Sequence, residues 1–171
     1  NGCSSTSAPQ TITVNALPVL DPIAGASVVC VGSTGTISNT TTGGTWSSAN
    51  ANVAVVNAGS GIVSGNTAGT ANMTYSYTNA NGCSATSSAT AVTVNPLPTA
   101  GITNNTGSTV LTCSTTAISV TATGGTNYSW SNGTTTVGNS ASLSITAPGT
   151  YTVTVTNSNG CASTASIAVT Q

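Results

Sequence analysis

Five cysteines, Cys3, Cys30, Cys83, Cys113 and Cys161, hold nearly all the reactive side-chain chemistry of this 171-residue chain. Thiols in an uncharged, Thr-rich chain point to disulfide formation in an oxidising, extracytoplasmic compartment. An odd count leaves at least one of them with a partner elsewhere or as a free thiol. Everything else that usually carries chemistry is missing. There is no Lys, Arg or His, and Asp21 is the single acidic side chain. General acid–base catalysis needs a positioned proton carrier, phosphate recognition leans on Arg and Lys, and nucleic-acid affinity comes mostly from cations neutralising phosphates. These classes of function are therefore disfavoured, and no nucleic-acid partner is expected.

The remaining candidate sites are weak. Gly59-Ser60-Gly61-Ile62-Val63-Ser64-Gly65 has glycine spacing loosely like a dinucleotide loop, but no helical pattern follows it and no acidic residue lies about 20 positions on, so it reads as a turn. Serines abound without a His or Lys to act as base, which argues against a hydrolase. Calcium sites need several carboxylates, and Asp21 beside Pro22 reads as a turn residue. Catalytic residues, cofactors and metal ligands are all expected to be none. Asn39, Asn72, Asn104, Asn127 and Asn132 lie in Asn-x-Ser/Thr sequons, which this composition produces by chance. The alternation Thr152, Thr154, Thr156 resembles one row of an ice-binding Thr array, but outward Thr is ordinary strand decoration.

The elements that must position the cysteines are strands. Hydrophobic residues reach 37% with a net charge of −1, which excludes the low-hydrophobicity, high-charge composition of disordered chains. Thr and Val favour strands, while Gly, Asn, Ser and Pro punctuate turns; good helix formers are nearly absent. No apolar run approaches ~18 residues, so neither a transmembrane helix nor membrane insertion is expected.

An internal repeat organises the chain. Asn-Gly-Cys occurs at Asn1-Gly2-Cys3, Asn81-Gly82-Cys83 and Asn159-Gly160-Cys161, a period of about 80 residues that marks a tandem array. Matching linkers follow at Asn15-Ala16-Leu17-Pro18 and Asn95-Pro96-Leu97-Pro98, and each leads to a Cys (Cys30, Cys113), a Gly-Gly pair (Gly43-Gly44, Gly124-Gly125) and a Trp (Trp46, Trp130). The division is then 1–14 as the last strand of a preceding unit, 15–95 as one unit and 96–171 as a second. Proline-stiffened linkers predict end-to-end stacking into a rod.

Within the second unit, strands are expected over Ala117–Thr123, around Tyr128-Ser129-Trp130, through Leu143 and Ile145, and along Tyr151–Thr156, where Tyr151, Val153 and Val155 share the inward face. Asn157-Ser158-Asn159-Gly160 signals a hairpin. Met73, Tyr75 and Tyr77 take the equivalent inward face in the first unit. Six or seven short strands with regular turns read as an immunoglobulin-like β-sandwich, with each Trp in the core rather than on a sugar-stacking platform.

Two cysteine pairings remain open. The default is one disulfide per unit, Cys30–Cys83 and Cys113–Cys161, with Cys3 paired outside these residues. A geometric objection raises a rival. In such a sandwich Cys161 opens the last strand at one end and Cys113 precedes the second strand, which begins at the other, so the two could lie beyond the ~7 Å Cα limit for a disulfide. Those opposite ends meet when units stack, so Cys30–Cys161 would staple neighbours together.

The second unit resembles the repeats of gliding-motility adhesins of the SprB type, through Cys113, GG-TNYSWSNG (124–133) and APGTYTVTVTNSNGCASTASIAVTQ (147–171). The first is similar to a bacterial Ig-like group 2 domain, through TWSSANANVAVVNAGSGIVSGNTAGTANMTYSY (45–77). Such adhesin repeats often carry Asp where this chain has Asn79 and Asn157 before Asn-Gly-Cys. The resemblance implies giant secreted surface proteins of many Ig-like modules, exported by type IX secretion. The expected role is a non-catalytic stalk segment of an extracellular adhesin or filament, partnered by neighbouring domains of the same long chain, with like chains in a filament or bundle as a further candidate partner. The competing expectation is a carbohydrate- or surface-binding module.

Overall fold

The structure, a computed structural model, describes residues 2–171; Asn1 of the first Asn-Gly-Cys lies outside the described residues. The regular structure of the described residues is all strand, in four sheets. In the first unit, β1 (Ala24–Gly25), β3 (Thr34–Ser38), β5 (Ala54–Val56) and β6 (Ile62–Gly65) form one sheet in the order β1-β3-β6-β5. The other contains β2 (Val28–Cys30), β4 (Thr45–Ser48), β7 (Gly69–Thr78) and β9 (Thr90–Asn95) in the order β2-β9-β7-β4, with β8 (Ser84–Thr86) beside β7. The chain thus crosses from one sheet to the other between β1 and β2. β2 runs parallel to β9, matching Val28 with Thr93, Val29 with Val94 and Cys30 with Asn95.

The second unit repeats this plan. One sheet has β10 (Gly101–Asn104), β11 (Ile118–Thr123) and β14 (Ser142–Ile145); the other has β12 (Asn127–Ser131), β13 (Thr136–Gly138), β15 (Gly149–Thr156) and β16 (Ala162–Val169), ordered β13-β12-β15-β16. The parallel crossing is reduced to a single bridge, Val110 with Thr170. This strand order is that of an immunoglobulin-like β-sandwich.

Alternation along each strand builds the cores. Ala71, Met73 and Tyr75 of β7 point into the first core with Val92 and Val94 of β9; Tyr77, expected on the same face, is half-buried at its margin. Tyr151, Val153 and Val155 of β15 fill the second core with Ile118, Val120 and Ile145. Trp46 and Trp130 are buried, so both are core residues. Trp130 donates its indole N–H to Ser140 O at 3.0 Å, and Tyr75 stacks tilted on Trp46 with centroids 4.6 Å apart.

The Gly-Gly pairs have one physical role in both units. The first glycine turns the chain through positive φ, 84° at Gly43 and 99° at Gly124. The second lies against the neighbouring strand: a Cβ on Gly44 would fall 2.4 Å from Ser76 O and 2.5 Å from the Tyr75 ring, and one on Gly125 2.4 Å from Val155 Cγ1. The approach lets Tyr75 Oη accept the Gly44 N–H at 2.7 Å while donating to Thr41 O at 2.7 Å.

Residues 2–22 take part in no sheet. Ile12 is 84% and Val14 90% exposed, although they occupy the repeat positions of Val92 and Val94, which are buried. The strand expected at 11–14 has no sheet to join within this chain.

Candidate functional site

Two pieces of local structure converge where the two units meet. The first places Cys30. It ends β2 and opens a tight turn, Cys30-Val31-Gly32-Ser33, closed by Ser33 N–H donating to Cys30 O at 3.0 Å. Gly32 supplies the φ of 76° that such a turn requires at its third position. The Ser33 hydroxyl donates to Cys30 O and accepts the Cys30 N–H, both at 2.8 Å. The parallel register with β9 continues as Val31 N–H donates to Asn95 O at 3.0 Å. Cys30 is thereby held beside Asn95, the last residue of the unit's final strand.

The second piece places Cys161. The β15–β16 hairpin turns at Asn157–Gly160, where Gly160 has a φ of 80°. The Asn157 side chain folds back over this turn, and its Oδ1 accepts the N–H groups of Asn159 and Cys161, each at 3.0 Å. Its Nδ2 donates to Pro96 O in the linker at 3.0 Å, and Ser163 Oγ donates to Pro98 O. The hairpin of the second unit therefore grips the linker leading into it. Cys161 is 1% exposed, with Sγ 3.9 Å from Asn95 O.

Asn95 is the common landmark, and Cys30 and Cys161 flank it. They form a disulfide with a Cα separation of 5.7 Å, across 131 residues of chain, well within the range the bond allows. The default pairing within units is corrected accordingly: neither Cys30–Cys83 nor Cys113–Cys161 exists here, and Cys3, Cys83 and Cys113 carry free thiols. The reason is distance along the strands. Cys83 precedes β8 at the start of the chain run that ends at Asn95 beside Cys30, an extended path on the order of 30 Å. Cys113 lies past the Val110–Thr170 bridge, at the far end of β16 from Cys161. Eight residues of strand separate those ends, about 27 Å.

The clasping asparagines were missed in the sequence, where Asn79 and Asn157 stood only as turn residues. Their signal was present: each precedes its cysteine by four positions, as Asn79…Cys83 and Asn157…Cys161. Asparagine suits this place because it must accept from two backbone N–H groups and donate to a linker carbonyl at once. An aspartate in its place could do only the first.

Other surface features offer less. Asp21 accepts a hydrogen bond from Thr40 Oγ1 at 2.6 Å in an exposed loop, and no group of three or more metal-ligating side chains occurs among the described residues. An open groove of about 450 Å³ runs beside Thr36, Asn39, Thr41, Gly43, Trp46 and Tyr75. Its two aromatic rings are buried in the core, so they present no open face for a sugar ring to stack on. The Tyr75 hydroxyl is already committed to Gly44 and Thr41.

Strand order, the Trp in each core and the crossing of the first strand between sheets define an immunoglobulin-like β-sandwich protein. No protein-family profile matches the chain, and no curated protein matches it. Among solved structures it is similar to the fibronectin(III)-like modules of Clostridium thermocellum CbhA, with 14% identity and a TM-score of 0.39 over 87% of this chain and 94% of that one.

Proposed function

We propose that the chain is a non-catalytic stalk segment of an extracellular bacterial adhesin or surface filament, in which immunoglobulin-like units stacked end to end carry a binding tip and transmit force. The observation that carries this reading is the disulfide between Cys30 and Cys161, which joins neighbouring units across their linker instead of bracing one core. A covalent bond in parallel with the linker suits a load-bearing element. Tension pulling the units apart meets the staple as well as Asn95–Pro98, so the junction does not peel open at its hydrogen bonds.

The near absence of charge supports the same reading, because without electrostatic repulsion neighbouring stalks can lie side by side. A disulfide fits an oxidising compartment outside the cytoplasm, and no helix of the described residues is long and apolar enough to cross a membrane. Gliding motility and type IX export complete the proposal, on the resemblance of 113–171 to SprB-type repeats. Electron microscopy of the intact native protein tests it. The stalk reading expects long thin fibres; compact particles that bind on a glycan array would replace it with the carbohydrate-binding reading.

A further inference from the structure

The Cys161 half of the junction exists twice. Around Cys83, Asn79 Oδ1 accepts the N–H groups of Asn81 at 3.1 Å and Cys83 at 3.0 Å. Its Nδ2 donates to Ala16 O in the linker before the first unit at 3.2 Å. Cys83 Sγ lies 3.9 Å from Asn15 O, the distance that separates Cys161 Sγ from Asn95 O. The backbone turn repeats as well: Asn79 N–H donates to Cys83 O at 2.9 Å, as Asn157 N–H does to Cys161 O at 2.9 Å. Asn15 and Ala16 hold the repeat positions of Asn95 and Pro96. The asparagine clasp that presents Cys161 to its partner is thus present at Cys83; only the Ser163–Pro98 bond lacks a counterpart, because Ala85 stands at that position, and in the second copy of this arrangement within the same chain the sulfur is bonded. The Cys83 sulfur itself lacks a partner: Cys83 is half-buried and free.

We propose that Cys83 is the receiving half of a second inter-unit disulfide, whose other sulfur comes from an immunoglobulin-like unit seated on the N-terminal side of the first. That unit carries its cysteine where Cys30 stands in the first unit, at the end of a strand lying parallel to residues 11–14. Residues 11–14 supply its final strand, which accounts for the exposure of Ile12 and Val14 at positions where Val92 and Val94 are buried. The second unit of another copy does not fit this place, because β16 already fills the final position of its sheet. The partner is a unit that lacks its own last strand, either upstream in the same polypeptide or in a separate one. Bond formation removes one proton and one electron from each thiol as the S–S bond forms; the electrons reduce a disulfide oxidant to two thiols by exchange.

The inference deepens the stalk reading by naming what each end of the segment binds, and it is tested separately from the shape of the molecule. Residues 1–14 are replaced by a copy of residues 15–94, so that the added unit runs directly into Asn15. The lengthened chain is folded with oxidised and reduced glutathione, its remaining thiols are alkylated, and it is digested with pepsin at low pH, where exchange is quenched. The expected map joins the first cysteine of the added unit to Cys83 and retains Cys30–Cys161, with loss of alkylation at Cys83. In the Cys83→Ser variant the added cysteine becomes alkylated while Cys30–Cys161 persists. Alkylated Cys83 in the folded, lengthened chain overturns the proposal, as does pairing of the added cysteine elsewhere. In native protein isolated with its thiols blocked, a Cys83 partner that stays with the chain on non-reducing electrophoresis places it in the same polypeptide; one that adds mass lost on reduction places it in another.

Discussion

Breaking the staple with Cys30→Ser, Cys161→Ser or a reductant is expected to destabilise both units, which a disulfide inside one unit would not do. The bond closes a ring across 131 residues, for which the chain-entropy account gives about 5 kcal/mol against complete unfolding. If the first unit unfolds alone, the folded second unit still holds Pro96 close to Cys161, so the ring that remains is about 65 residues long and the same account gives about 4 kcal/mol. The argument is symmetrical for the second unit. Each unit alone thus gains about 4 kcal/mol, yet the two together gain only about 5. Once one unit has opened, the other loses most of its protection. The oxidised chain should therefore melt in one cooperative transition, and the reduced chain in two independent ones at lower temperature. For units of this size about 4 kcal/mol corresponds to a fall of roughly 15–30 °C. Calorimetry with and without dithiothreitol, with Cys161→Ser as a control insensitive to reductant, measures this. A reduced chain in which only one unit shifts, or neither shifts by more than about 1 kcal/mol, refutes the reasoning.

Three further outcomes follow from particular contacts. Asn157→Ala removes two acceptor bonds and the donor to Pro96 O; it should cost about 1–2 kcal/mol in denaturant unfolding and speed reduction of Cys30–Cys161, while Asn157→Asp, which keeps only the acceptor bonds, should fall between. Tyr75→Phe leaves the Gly44 N–H and Thr41 C=O without their shared partner, an expected loss of about 1–3 kcal/mol in the urea midpoint of the first unit. Gly44→Ala drives a methyl into Ser76 O and the Tyr75 ring and should destabilise the first unit by more than about 2 kcal/mol, read as a lowered first-unit transition in calorimetry of the reduced chain.

The sandwich was legible because its signals are local. Tyr151, Val153 and Val155 alternate with threonines, Asn157–Gly160 announces a hairpin, and a Trp follows each Gly-Gly pair; the structure uses all of them as the pattern implies. The cysteine junction was harder to read because it depends on β2, three residues long, crossing to the second sheet and lying parallel to β9. Val28-Val29-Cys30 is too short to show a period, and nothing in it announces a parallel partner more than sixty positions away. The tertiary crossing alone puts Cys30 beside Asn95. Distance along a strand argued against pairing within a unit, but only the register at Asn95 decides for Cys30–Cys161. Residues 11–14 show the converse: a sound strand pattern forms no strand where its sheet is absent.

Small-angle scattering of the oxidised chain tests the stalk account most directly. A single compact globule of this length has a radius of gyration of about 15 Å. Two sandwiches stapled end to end, with centres separated by the ~33 Å of a ten-residue strand, should exceed about 20 Å, with a pair-distance distribution skewed toward long distances. A value near 15 Å with a symmetric distribution would mean that the units fold side by side, and the load-bearing reading of Cys30–Cys161 would fall with it.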